Sequence, residues 1–148
     1  MISIDTNILF PAMQRENPNH LKAAAFLTSL QEREDVVISE FILLELYGLL
    51  RNPAVLAKPL EPGAAVAMCQ SFRQHPRWQV IGFVADSRSF HNELWPKLKQ
   101  KDFARRRAYD WRTALALLRQ GVTEFATVNE KDFRDFGFKR VWNPLGRE

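Results

Sequence analysis

Apolar and polar positions sort the chain into short strands and longer helices. Ile2-Ser3-Ile4 opens it as a strand that ends at Asp5. Asn17-Pro18 marks a helix start, with Asn17 as cap and Pro18 at the first helical position. Leu21, Ala24, Ala25, Phe26, Leu27 and Leu30 follow at helical spacing. Residues 35–39 form a second strand, and Ser39 is the N-cap of the next helix. From Phe41 to Leu50 that helix is apolar on every side, with Glu45 its only charge, which predicts an internal helix. Asn52-Pro53 stops it, and Pro59 with Pro62-Gly63 marks a second break. A helix is expected over residues 63–74, a strand over 78–84, a helix from Asp86 or Ser87 to about Lys99, and a helix over 109–119 stopped by Gly121. Strands over 124–128 and 140–142 complete the pattern. This alternation predicts an α/β fold: a three-layer α/β/α sandwich with a short, mostly parallel central sheet, in one domain over residues 1–148.

Composition adds bounds. Hydrophobic residues at 46% and charged residues at 26% are ordinary for a globular domain with its own core. No apolar run reaches the length of a membrane span and the opening residues do not form a secretory leader, so a cytoplasmic protein without a membrane partner is expected. Cys69 is the only cysteine, which excludes an internal disulfide and a cysteine zinc cluster. A net charge of +4 and a pI near 9.5 favour an anionic partner. Lys97 to Arg112 holds seven basic residues against two acids, and Arg105, Arg106, Arg107 and Arg112 read either as a solvated helix end or as a rim that contacts phosphates.

Three acids stand in apolar settings. Asp5 ends the first strand, and open α/β sheets place ligand sites beyond the carboxyl ends of strands; a turn cap is the plainer alternative. Glu45 reads as a metal ligand or as half of a buried ion pair, whereas Glu40 simply complements a helix dipole. Asp110 shares a helical face with Ala114, Leu117 and Leu118, which turns it inward, unless it only caps the helix start. A fourth position falls at Thr127-Val128-Asn129 or at Asp132: Asn129 lies just past a strand, and Asp132 reaches the same space from a loop. An all-oxygen donor set selects Mg²⁺ or Mn²⁺ over zinc, and beside a basic rim it suits phosphoryl chemistry. Phosphate-binding glycine loops, dinucleotide fingerprints and nucleophile elbows are absent from the sequence.

The ordered set of motifs resembles the PIN-domain ribonucleases, and in particular the VapC-type toxins of prokaryotic toxin–antitoxin pairs. It runs through Ile4-Asp5-Thr6-Asn7, Val37-Ile38-Ser39, Glu45-Leu46-Tyr47-Gly48-Leu49, Tyr109-Asp110, Gly121-Val122, Ala126-Thr127-Val128-Asn129, Asp132-Phe133 and Asn143-Pro144-Leu145, spanning essentially the whole chain. The resemblance implies a PIN-like fold and a metal-dependent endoribonuclease that leaves a 5′-phosphate and a 3′-hydroxyl. Asp5, Glu45 and Asp110 match the metal-binding acids; Asp132 joins them as a catalytic candidate, with Thr6, Asn7, Thr127 and Asn129 in support. Asn129 departs from the many members with an acid there. An RNA substrate, a small antitoxin partner and a homodimer are also implied. The alternatives are a non-catalytic RNA- or partner-binding module on the same fold and a phosphatase of small esters.

Overall fold

Residues 1–146 are described by the computed structural model. Three parallel strands, β1 (Ile2–Ile4), β4 (Glu124–Ala126) and β5 (Arg140–Trp142), form one sheet in that order, with Ile4 opposite Ala126 and Ala126 opposite Trp142. A second parallel pair, β2 (Val37–Ser39) and β3 (Gln79–Ile81), meets the free edge of β1 through a single bridge between Ile2 and Val36. The strand order across the layer is therefore β3-β2-β1-β4-β5, parallel throughout. β1 and β2 are buried at every position, as strands covered on both faces must be.

The helices are α1 (Thr6–Ala12), α2 (His20–Leu30), α3 (Glu40–Leu50), α4 (Pro62–Arg73), α5 (Ser87–Lys97), α6 (Arg107–Arg119) and the short α7 (Glu130–Phe133). Two local stops read from the sequence hold: Ser39 Oγ accepts from Phe41 N at 3.1 Å to cap α3, and Gly121 follows α6 at a φ of +84°. The core under α6 and α7 is aromatic. Phe125 is fully buried and packs against Phe133 at 4.6 Å and Phe138 at 5.2 Å between ring centroids, while Trp111 lies 4.2 Å from Phe136.

Several expectations are corrected. α1 was not foreseen; it is a single short element containing Pro11, buried at Ile8, Leu9, Pro11 and Ala12, so it has no polar face to betray a helical period. α2 begins at His20 rather than Pro18, because Asn17 spends its side chain on a turn, accepting from Asn19 N at 2.9 Å. Residues 130–133, expected as loop, are helical. α3 is not internal: Ile42, Leu43, Leu46 and Leu50 are buried, but Leu44 is 69% exposed and Glu45 and Gly48 face solvent. An all-apolar helix can equally mean a core stripe plus an uncovered apolar surface.

Candidate active site

The carboxyl ends of adjacent strands create the site. Asp5 N donates to Ala126 O at 2.9 Å and Thr127 N to Trp142 O at 2.9 Å, so the ladder continues one residue past each strand and sets Asp5 beside Thr127. Asp5 is 9% exposed. Its Oδ1 accepts from Thr6 N at 2.7 Å, which caps α1, and its Oδ2 accepts from Thr127 Oγ1 at 2.7 Å. Each carboxylate oxygen retains lone-pair capacity beyond those bonds.

Thr127, with no exposed surface, is saturated. Its one proton goes to Asp5, while Asn7 Nδ2 at 3.2 Å and Asn129 N at 3.0 Å occupy its lone pairs. Asn7 Oδ1 also accepts from Val128 N at 3.1 Å, so Asn7 clamps the end of β4 to α1. On the other side, Thr6 Oγ1 lies 3.0 Å from Glu45 Oε2 and 3.3 Å from Ile42 O, tying α1 to α3. Capping was one reading offered for Asp5; here capping and presentation to the cleft are the same geometry.

A cleft of about 400 Å³ is lined by Asp5, Thr6, Asn7, Glu45, Gly48, Leu49, Asp110, Asn129 and Phe133. Asp5, Glu45 and Asp110 thus arrive from β1, α3 and the first turn of α6. Burial is the main force raising the Asp5 carboxyl from 3.8 to about 7; the bonds from Thr127 and Thr6 hold it down, and the charges of Glu45 and Asp110 push it up. Asp110 is raised to about 6, by burial first and then by Glu45 and Asp132, against the pull of Arg106 and Arg107. Glu45 is solvent-exposed, so the argument from burial that singled it out did not apply; its position on the cleft did.

Asn129 lines this cleft. Asp132 lies in the adjoining depression with Glu130 and Lys131, with Arg106 Nη2 at 3.9 Å from its Oδ2. Of the basic residues, Arg105 and Arg106 are exposed. Arg107 is half-buried, with its guanidinium 5.2 Å from the Phe136 ring and Nη2 3.4 Å from Asp132 O. Arg112 lies 4.2 Å over the Phe41 ring. Glu40 pairs with Arg73 at 2.7 Å, away from the cleft. Gly48, Leu49 and Phe133 were not foreseen as lining residues: Gly48 is one helical turn past Glu45, a spacing that carried the signal.

The donors suit a hard cation. All are oxygens, and two carboxyls stand above their ordinary value partly through mutual repulsion that a cation relieves. Among the described residues no three acidic, imidazole or thiol groups are gathered tightly enough to enclose an ion directly. That spacing fits Mg²⁺, which keeps several waters and is held through one or two carboxylates.

Solved structures share this architecture. FitAcB from Neisseria gonorrhoeae superposes with a TM-score of 0.66 over 99% of this chain and 100% of that one, at 22% identity. VapC20 of Mycobacterium tuberculosis, a Sarcin-Ricin loop cleaving toxin, gives 0.63 over 84% and 87%, at 18% identity. VapBC2 from Rickettsia felis, bound to a DNA fragment from its promoter, gives 0.65 over 97% and 98%, at 21% identity. The fold is that of the PIN-domain toxins. No family model matches the chain. Ribonuclease VapC24 of Mycobacterium tuberculosis, however, is 48% identical over 145 residues, 98% of this chain and 97% of the relative. The chain belongs to the VapC ribonucleases, the toxin components of toxin–antitoxin systems.

Proposed function

We propose that this ribonuclease is a Mg²⁺-dependent endonuclease, with Mn²⁺ able to substitute, whose reaction centre is the cleft between β1, α3 and α6. The observation that carries this reading is the convergence of Asp5, Glu45 and Asp110 on one cleft from three separate elements. These three would hold the cation, which supplies a more acidic bound water and offsets charge on the phosphate. Asp5 is kept in place by Thr6 and Thr127, and Thr6 also orients Glu45. Asn129 offers a neutral amide at the cleft wall in the fourth position. Asp132 acts one step removed, through its charge on Asp110 and its pairing with Arg106. Arg105, Arg106, Arg107 and Arg112 form a cationic flank for the RNA phosphates.

Family membership supports a small antitoxin partner, and a homodimer is part of the same proposal. Exposed Leu44, Val66 and Phe83, bordering an apolar groove between α3 and α4, support a protein partner on that side. Among the described residues no helix is long and apolar enough to cross a membrane. The test is Asp5→Asn: RNA cleavage in Mg²⁺ falls by orders of magnitude while circular dichroism stays native. Full activity of that variant, or of the wild type in excess EDTA, rejects the assignment and favours a binding module.

A further inference from the structure

Tyr109 adjoins Asp110 on α6, and with Arg112 it forms a cluster of which the nuclease reading uses only the arginine's charge. The Arg112 guanidinium lies 4.2 Å over the Phe41 ring and 5.4 Å from the Tyr109 ring. Its Nε is shielded from solvent and has no hydrogen-bond partner, and among the described residues Arg112 has no ion pair. By contrast Arg119, farther along the same helix, is paired with Glu93 at 2.8 Å. A half-buried guanidinium held by aromatic faces rather than by a carboxylate keeps donors free for an incoming acceptor. Tyr109 is 60% exposed, so much of its ring is open to a ligand. Phe41 precedes Glu45 by four residues, so it lies one turn away on the same stripe of α3. The Phe41–Arg112 contact thus joins the two helices that carry Glu45 and Asp110.

A planar π-face next to a preoriented guanidinium matches a nucleotide: a base for the ring and a phosphate oxygen for the N–H groups. We propose that Tyr109 and Arg112, supported by Phe41, form a stacking subsite for one nucleobase of the bound RNA. This rests on the ribonuclease reading. Trp95 is also exposed, at 66%, but lies on α5 without an unpartnered arginine.

The test is steady-state cleavage of an RNA hairpin that the wild type cuts in its loop, with 2-aminopurine placed next to the cut. Tyr109→Leu is expected to raise KM roughly tenfold with kcat little changed, and to lose the 2-aminopurine quench that reports stacking. Tyr109→Phe restores both. Arg112→Lys, which keeps the charge and loses the planar group, shows the same rise in KM. Unchanged KM and quench in Tyr109→Leu overturn the subsite. If Asp5→Asn is inactive while Tyr109→Leu behaves as wild type, only the subsite falls; if the wild type cuts no RNA, both fall.

Discussion

Replacing Asp5 by asparagine should stabilise the metal-free protein at pH 8 relative to pH 5, at the same time as it abolishes cleavage. Asp5 sits almost out of solvent with Glu45 and Asp110 nearby, and its carboxyl is raised from 3.8 to about 7. Folding therefore favours the protonated form. The associated stability is fully present below pH 3.8 and is lost as pH rises toward about 7. Relative to acid conditions, the group costs the fold roughly 4 kcal/mol at pH 8, where it is ionised, and about 2 kcal/mol at pH 5, where folding must hold its proton. Asparagine removes this dependence. It also brings a pH-independent penalty: Oδ1 can still accept from Thr6 N, but the amide N–H meets a Thr127 hydroxyl already accepting from Asn7 and Asn129. That conflict costs about 1–3 kcal/mol. Because it is constant, the decisive quantity is the change in the variant-minus-wild-type difference, which should grow in favour of Asp5→Asn by about 2–3 kcal/mol between pH 5 and pH 8. Urea unfolding in EDTA at both pH values measures it, and Mg²⁺ should then narrow the gap by stabilising the wild type. Parallel pH profiles for the two proteins would refute the claim that burial and like charge strain this carboxylate.

The other expectations concern the neighbours of that group. Thr127→Val keeps the shape but removes the hydroxyl, so the Asp5 carboxyl should rise further and the fold should lose about 1–3 kcal/mol, whereas Thr127→Ser should stay near wild type; denaturant titration and cleavage across pH read both effects. Glu45→Gln should abolish cleavage, but Glu40→Gln should leave it intact and cost no more than about 1 kcal/mol, since Glu40 only pairs with a half-exposed Arg73; parallel RNA assays distinguish the two. Phe125→Ala removes the fully buried ring between Phe133 and Phe138 and should cost about 3–5 kcal/mol in thermal or denaturant unfolding.

Much of this protein was written locally. Short apolar runs, a serine before Phe41, a glycine after α6 and the alternation of strands with helices are properties of neighbouring residues, and they carried over to the parallel sheet with small boundary shifts. Asp5 and Asp110 stood out for the same reason, since a carboxylate in an apolar stretch is costly wherever the stretch is buried, and both line the cleft. Glu45 was found by a premise the fold overturns, because periodicity cannot distinguish a helix buried all round from one with an apolar face left open. α1 went unseen, since a seven-residue apolar segment with a proline carries too few turns for a helical signal. Long-range pairing decided the rest. The ladder that seats Asp5 beside Thr127 and the bonds joining the Thr127 hydroxyl to residues more than a hundred positions away depend on strands far apart in the chain lying side by side. Residue types and spacing set which groups were available; the register of a parallel sheet, which no local pattern encodes, set which of them meet.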